Sequence, residues 1–263
     1  MQFEPKDTEL ENNYGDTNYA KDILLLFGTF LGLVVVLYAI SGFTIDYFID
    51  SLSLENEAKV SKLFSSIEAK TEQSEDEQKY QRVLNQLVAA SNQSHKNFIL
   101  KIKSGKIVNA FAHMNQEISI YDYVIDNSKT ENEVAMILAH ELGHYHHRHH
   151  LKALGRVGIL LSISTMLLGV DSEITEAVFN TVQMVQMTFS RQQETDCDLY
   201  GLELLNKRYG NVTGATGFLT QIEKDSSDLE SAVQYFSTHP HPKERKALIE
   251  KVIEERGYLY QKP

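Results

Sequence analysis

The pattern of apolar and polar positions separates a long apolar run near the N-terminus from a mixed region that follows it. Residues 23–45 carry no charged side chain, and Asp22 and Asp46 bound the run. As a helix rising about 1.5 Å per residue, it exceeds the roughly 30 Å hydrocarbon core of a bilayer. A secretory signal peptide would begin earlier, with a basic leader. The pattern therefore predicts a retained transmembrane helix at 23–45, preceded by a disordered acidic leader at 1–22.

The mixed region predicts a helical linker and then one globular domain. Residues 46–80 combine helical spacing of apolar positions with a polar run, and we place the domain at 81–263. Three short runs in its first part have the pattern of strands. They are residues 98–103, 106–112 and 117–125. Ser104-Gly105 falls between the first two runs, and we expect the three to form a small antiparallel sheet. From residue 130 the spacing is helical almost to the end, so the predicted fold class is α+β and mostly helical.

A second apolar run, residues 157–170, has 14 uncharged positions. As a helix it would measure about 21 Å, which is short of a full crossing. We expect a buried or interfacial helix here, and therefore a single-pass membrane protein anchored by its N-terminal helix. Lysines flank the first apolar run on both sides, so the membrane face that carries the domain stays open.

The helix that begins after residue 130 carries the candidate chemistry. Thr130 and Glu133 fit a capping box at its N-terminus. His140 and His144 are four residues apart on one face, where both ring nitrogens can bind one tetrahedral zinc ion. Glu141 is rotated by about 100° from His140. It can take the proton of a zinc-activated water as a general base.

Two residues compete for the role of third zinc ligand. His150 lies at the spacing of a motif that needs a glycine at position 147, but His147 stands there and its β-carbon disfavours the turn. Glu194 lies on a later predicted helix, four residues before Asp198 and on the same face. Glu194 can complete the site while Asp198 accepts the other ring N–H of a ligand histidine. The spacing favours Glu194.

The other histidines of this tract crowd the predicted end of the helix. They are His146, His147, His149 and His150. We expect them to be solvated or to bind metal weakly, with His147 the nearest to the site. Cys197 is expected to pack in the core. As the only cysteine, it excludes an internal disulfide and a cysteine-rich zinc site.

The charge of the chain excludes one class of partner. The formal net charge is −11, and the 25 lysines and arginines form no basic stripe along the sequence. A general nucleic-acid binder depends on clustered cationic side chains. We therefore expect no nucleic-acid partner.

Four blocks of sequence resemble the M48 membrane-associated zinc metallopeptidases, the group that includes the HtpX-like and Oma-like proteases. The blocks are residues 109–126, 131–149, 190–201 and 237–249, in that order. The resemblance implies a zincin-like metallopeptidase domain with one Zn²⁺ per chain. It makes His140, His144 and Glu194 the ligands and Glu141 the catalytic base. Cys197 departs from the alanine usual before Asp198.

The resemblance also implies roles that spacing alone does not suggest. His239, in Thr-His-Pro, matches a histidine near the active site and could donate to the oxyanion as it forms. Arg245 matches an arginine with a structural or site-ordering role, and for Asp198 the resemblance agrees with the supporting role that its spacing already suggests. The block at 109–126 would supply an edge strand that pairs with an extended substrate.

These features predict a membrane-anchored zinc-dependent endopeptidase. Its expected partners are the lipid bilayer and protein or peptide substrates, which the resemblance suggests are misfolded or membrane-associated proteins. The alternative is a non-catalytic chaperone or scaffold module stabilised by zinc, although a structural site has no use for a base at Glu141. A metal-buffering histidine tract is a third interpretation. Neither the oligomeric state nor the regulation follows from the sequence.

Overall fold

The structure is a computed structural model that describes residues 18–63, 73–173, 175–177, 189–225, 239–240 and 242–261. Nine helices and three strands are defined within these ranges. In chain order they are α1 (Tyr19–Ser51), α2 (Leu54–Leu63), α3 (Glu75–Ala90), β1 (Ile99–Lys103), β2 (Ala110–Ala112), β3 (Glu117–Tyr121), α4 (Asp122–Asn127), α5 (Glu131–His146), α6 (His149–Leu168), α7 (Arg191–Tyr209), α8 (Gly217–Asp225) and α9 (Pro242–Arg256). The chain divides into two units, Met1–Thr44 and Ile45–Pro263. The predicted mostly helical fold is confirmed.

Helix α1 contains the whole predicted transmembrane run. It begins at Tyr19, so its first residues lie within the predicted leader, and residues 1–17 of that leader fall outside the described residues. The apolar side chains of residues 23–43 are largely exposed. By length and composition, α1 and α6 are the two helices in the described part of the chain that could cross a membrane.

Helix α3 begins six residues before the predicted start of the domain. Ser74 and Glu77 form a capping box, in which the Ser74 hydroxyl accepts from the Glu77 N–H and the Glu77 carboxylate accepts from the Ser74 N–H. A domain boundary at residues 80 and 81 would therefore fall inside a capped helix. Residues 64–72 of the predicted linker lie outside the described residues.

The three predicted strands exist, but the prediction of an antiparallel sheet is wrong. The strand order is β1-β3-β2. β1 pairs with β3 in parallel, with Ile99 opposite Glu117, and β2 pairs with β3 antiparallel, with Ala110 opposite Ile120. The sheet is therefore mixed, because β3 lies between β1 and β2 and pairs with one in parallel and with the other antiparallel.

Burial explains this order. Four of the five residues of β3 are buried, whereas β1 has one buried position, and the most buried strand takes the centre. The Ser104-Gly105 turn does not close a hairpin. Instead the Gly105 N–H donates to Asp122, just beyond the end of β3. The predicted strand at 117–125 also ends early, because α4 starts at Asp122.

Helix α5 runs through the centre of the domain. Every residue from Glu133 to Tyr145 is buried. Thr130 caps the helix as predicted, by accepting from the Glu133 N–H. A capping box also predicts that the Glu133 carboxylate accepts from the Thr130 N–H. The Glu133 carboxylate accepts instead from the Lys129 N–H, one residue before the cap.

Helices α5 and α7 approach each other at the distance of backbone contact. A β-carbon placed on Gly143 would lie 2.8 Å from the Cα of Cys197. One placed on Gly201 would lie 3.2 Å from the backbone nitrogen of His140. Glycines on both helices therefore permit a separation that side chains would prevent, and Cys197 packs against Gly143 as expected.

The chain turns sharply between α5 and α6. Arg148 adopts a left-handed backbone conformation with φ of 55°, and α6 starts at the next residue. The apolar run at 157–170 forms most of α6 and is largely not buried, so of the two expected alternatives, a buried or an interfacial helix, the first is wrong. Met166 is 88% exposed, and Ser164 is the one residue of this run that is buried.

Replacing Gly143 with alanine should destabilise the protein. The new β-carbon would clash with the Cys197 backbone, so we expect a loss of about 1–3 kcal/mol in the free energy of unfolding. Gly158→Ala is the matched control, because nothing lies within 4 Å of a β-carbon there. Helix propensity should make that variant neutral or up to about 1 kcal/mol more stable. Urea unfolding measures both, and equal stabilities would contradict the close contact.

Candidate active site

Helices α5 and α7 bring together the ligand residues predicted from the sequence. His140, His144, Glu194 and His239 each offer a ligand atom within 4.8 Å of the others, and all four are buried. The Nε2 atoms of His140 and His144 are 3.3 Å apart. Each lies 3.6 Å from one carboxylate oxygen of Glu194. Within the described residues, His150 belongs to no such group.

The other ring nitrogen of His140 is held by Asp198. His140 Nδ1 lies 2.9 Å from Asp198 Oδ1. Arg245 donates to both oxygens of Asp198 at 2.7 Å and approaches Glu194 Oε2 at 2.6 Å. Burial would raise the pKa of Asp198, but the Arg245 guanidinium outweighs it and holds that pKa well below its usual range. An ionised Asp198 can only accept, so the ring proton of His140 is on Nδ1.

The other ring nitrogen of His144 meets a residue that the sequence interpretation missed. His144 Nδ1 lies 3.1 Å from His149 Nδ1, and the Cys197 sulfur lies 3.6 Å from the same nitrogen. Burial, with the neighbouring histidines, lowers the pKa of His149 to about 3, so its ring is neutral and can accept. His149 therefore supports His144 as Asp198 supports His140.

We expected the outer histidines to be solvated or to bind metal weakly, and two of them are not solvated. His149 and His150 are buried, whereas His146 is exposed. His147 is not the nearest of them to the site either. His149 contacts His144 directly, and the His147 ring stacks on His149, with 5.3 Å between the ring centroids. The left-handed turn at Arg148 breaks the helical spacing on which that expectation was based.

Glu141 lies inside the site, next to the ligand group. Its Oε1 atom is 3.7 Å from His239 Nε2. Burial raises the pKa of Glu141, and the attraction of His239 and His140 offsets only part of that effect. A carboxyl group with a raised pKa is suited to accept and release a proton near neutral pH.

His239 contacts Glu194 as well as Glu141. Its Nδ1 atom lies 3.1 Å from both oxygens of Glu194. Burial would lower the pKa of His239, but the carboxylates of Glu194 and Glu141 raise it above the ordinary value. The structure therefore places the histidine of Thr-His-Pro within the site, with Nδ1 donating to a ligand carboxylate.

The spacing of the ligand atoms fits a zinc ion. Ligands about 2.0–2.1 Å from a tetrahedral zinc lie about 3.3–3.4 Å from one another. The three separations among His140, His144 and Glu194 are 3.3, 3.6 and 3.6 Å. Since His140 Nδ1 holds its ring proton, its Nε2 directs a lone pair towards His144. The ring nitrogens and the Glu194 carboxylate would repel one another through their lone pairs. A cation between them removes that repulsion, so the residues fit zinc.

The predicted edge strand is shorter than its sequence block. β2 (Ala110–Ala112) is at an edge of the sheet and packs against α5. Residues 113–116 connect it to the central strand β3, and the block ends within α4. The part of this block that can pair with an extended chain is therefore β2.

The sequence model of "Peptidase family M48" matches residues 74–253, which is more than half of the chain. The chain belongs to peptidase family M48. The match begins at Ser74, the cap of α3, and includes all four predicted ligand and base residues of α5 and α7. The resemblance expected from the four sequence blocks is confirmed.

Several curated metalloproteases are similar to this M48 chain. It is 24% identical over 177 residues to the mitochondrial metalloendopeptidase OMA1 of Schizosaccharomyces pombe, a match that covers 66% of this chain and 52% of that protein. It is 28% identical over 151 residues to the metalloprotease LoiP of Escherichia coli, covering 55% and 58%. The beta-barrel assembly-enhancing protease of Yersinia pestis is 23% identical, covering 61% and 35%. The chain thus spans about a third to just over half of these relatives.

Removing the side chain of His149 should weaken zinc binding. His149→Ala leaves His144 Nδ1 without its partner, and loss of such a partner costs about 10–100-fold in metal affinity. Competition with a zinc-chelating dye measures that affinity. His146→Ala, an exposed histidine of the same tract, should bind zinc like the wild type. Unchanged affinity in His149→Ala would show that His149 does not support His144.

Proposed function

We propose that the protein is a membrane-anchored, zinc-dependent endopeptidase with a zincin-like catalytic domain. The observation that carries the proposal is the convergence of His140, His144 and Glu194 at zinc-ligand spacing, with Glu141 beside them. Membership of a metallopeptidase family supports the same chemistry. In this proposal one Zn²⁺ per chain is held by the three ligands.

Glu141 would be the general base of peptide hydrolysis. Zinc bound by the three ligands supplies Lewis acidity, which polarises a scissile carbonyl and lowers the pKa of a water molecule. Glu141 takes a proton from the attacking water and passes it to the leaving amine. Its buried environment, which raises its pKa, makes it able to hold that proton between the two transfers.

The other polar residues of the site would orient these groups. Asp198 fixes the ring of His140, and Arg245 fixes Asp198 through two parallel hydrogen bonds. His239 would donate from Nε2 to the oxyanion, while its Nδ1 stays on Glu194. The proximity of Nε2 to Glu141 supports a position next to the reacting groups.

Substrate would bind as an extended chain along β2. The edge of a sheet presents unpaired backbone N–H and C=O groups, which bind peptides with little dependence on their sequence. Such tolerance suits misfolded or membrane-associated proteins as substrates. The apolar length of α1 supports an N-terminal membrane anchor. One similar protein is named as a beta-barrel assembly-enhancing protease.

A non-catalytic zinc module is the second candidate, and the position of His239 favours it. Structural zinc sites use four protein ligands, whereas catalytic sites keep one position open. His239 lies close enough to be a fourth ligand. Its Nδ1 atom is engaged with Glu194, however, and Glu141 has no role in a closed site.

Glu141→Gln should abolish proteolysis without loss of zinc. The amide cannot take the proton of water, so we expect cleavage of unfolded casein to fall by about 10²–10⁴-fold. The full-length protein is assayed in detergent, with a chelator and with zinc added back. Glu131→Gln, an exposed glutamate at the start of the same helix, is the matched control. Equal cleavage by wild type and Glu141→Gln would refute the catalytic assignment.

His239→Ala separates the two candidates. If His239 stabilises the oxyanion, kcat falls while zinc content is unchanged. If His239 is a fourth ligand of a structural site, zinc affinity falls and the wild type has no activity to lose. Metal content and casein cleavage of one preparation therefore decide between them.

A further inference from the structure

A second group of metal-binding side chains lies behind His144. His144, His149 and Cys197 each offer one ligand atom within 4.8 Å of the other two. His149 Nδ1 is 3.1 Å from His144 Nδ1 and 3.6 Å from the Cys197 sulfur. Ligands at about 2.0–2.1 Å for nitrogen and 2.3 Å for sulfur lie about 3.3–3.6 Å apart around one ion. The two separations that involve His149 are close to this spacing, and the third pair, His144 with Cys197, lies within 4.8 Å.

The environment of this group favours a soft cation with few ligands. Cys197 and His144 are fully buried and His149 is 3% exposed, so there is little access for water as a further ligand. The Phe189 ring stacks on His144 at 3.8 Å between centroids and covers that side. Thiolate sulfur selects Cu⁺ or Zn²⁺. Zinc prefers four ligands, whereas Cu⁺ is stable with three.

Charge gives a second reason for a monovalent ion. A Cys197 thiolate with two neutral imidazoles carries one negative charge in a buried group, and a Cu⁺ ion neutralises it, whereas Zn²⁺ would leave a net positive charge. Carboxylates of Glu194 and Asp198 lie near Cys197 and favour a cation.

We propose that His144, His149 and Cys197 form a site for Cu⁺ that competes with the catalytic metal for His144. A neutral imidazole has one nitrogen with a proton and one with a lone pair. Cu⁺ on Nδ1 therefore moves the ring proton of His144 to Nε2, which can then no longer face zinc as a ligand. The Cys197 thiol releases its proton on binding. No electron transfer is involved, since copper enters and stays as Cu⁺.

The consequence is inhibition by cuprous copper. Occupation of the group removes one of the three proposed zinc ligands, so copper loading should release zinc and stop proteolysis. This consequence rests on the proposed function. The existence of the copper site does not, because it can be measured on metal-free protein that performs no catalysis.

The experiment is a Cu⁺ titration of metal-free, full-length protein under reducing conditions, in competition with a cuprous chelator. We expect one Cu⁺ per chain and a sulfur ligand in the copper X-ray absorption spectrum. Cys197→Ala removes the sulfur but keeps the β-carbon beside Gly143, and alanine favours a helix more than cysteine does, so the variant should fold. Loss of a residue that only supports a metal ligand lowers metal affinity by up to about 100-fold. Loss of the Cys197 sulfur, which is itself a ligand in this proposal, should lower the Cu⁺ affinity by more than that. His146→Ala is the matched control and should bind like the wild type.

Two results would overturn the proposal. One is equal Cu⁺ affinity in wild type and Cys197→Ala, and the other is a copper spectrum without sulfur. A further measurement tests the competition: Cu⁺ added to zinc-loaded wild type should release zinc to an indicator dye, and zinc-loaded Cys197→Ala should retain it. Retention of zinc by copper-loaded wild type would refute the shared use of His144. Loss of casein cleavage is measured separately, so an inactive protein that binds Cu⁺ would refute only the proposed function.

Discussion

The site depends on the close approach of helices α5 and α7. Gly143 faces the backbone of Cys197, and Gly201 faces the backbone at His140, so neither helix has a side chain that would separate them. At this distance Glu194 and Asp198 reach the two histidines of α5 directly. If the helices were farther apart, longer side chains could span the gap, but fixing those side chains would cost more conformational entropy. Backbone contact therefore sets the geometry of the ligands.

The close approach of the two helices brings buried carboxyl groups together, and only some of them have a guanidinium as partner. Glu141, Glu194 and Asp198 are three buried carboxyl groups, and Arg245 is the guanidinium that pairs with two of them. Buried charges are stable when they are paired or coordinate a metal. Arg245 keeps Asp198 ionised, while burial raises the pKa of Glu141. His239, whose pKa the carboxylates of Glu194 and Glu141 raise, is a second cationic partner for Glu194, so Glu141 is the carboxyl group of the three without a guanidinium beside it.

Local periodicity explains which parts could be predicted from the sequence. The pairs His140 with His144 and Glu194 with Asp198 each lie one helical turn apart, and Thr130 caps the first helix, so the sequence alone placed them. His149 could not be placed in this way, because the helical spacing stops at His146 and restarts after two non-helical residues, His147 and Arg148. The mixed sheet was missed for a related reason. Strand order depends on which strand is buried by the rest of the domain. A short turn motif such as Ser104-Gly105 carries no information about that burial.

The turn at Arg148 shows how the supporting histidine is held in place. A non-glycine residue in the left-handed region costs about 1–3 kcal/mol, so contacts must offset it. The Arg148 guanidinium donates to the carbonyls of Ile49, Asp50 and Leu52, at 2.7, 3.0 and 3.0 Å, and pairs with Glu57 at 2.9 Å. The last carbonyls of a helix have no partner within it, so Arg148 also completes the end of α1. Because His149 follows Arg148 directly, the end of α1 and the support of His144 depend on the same side chain.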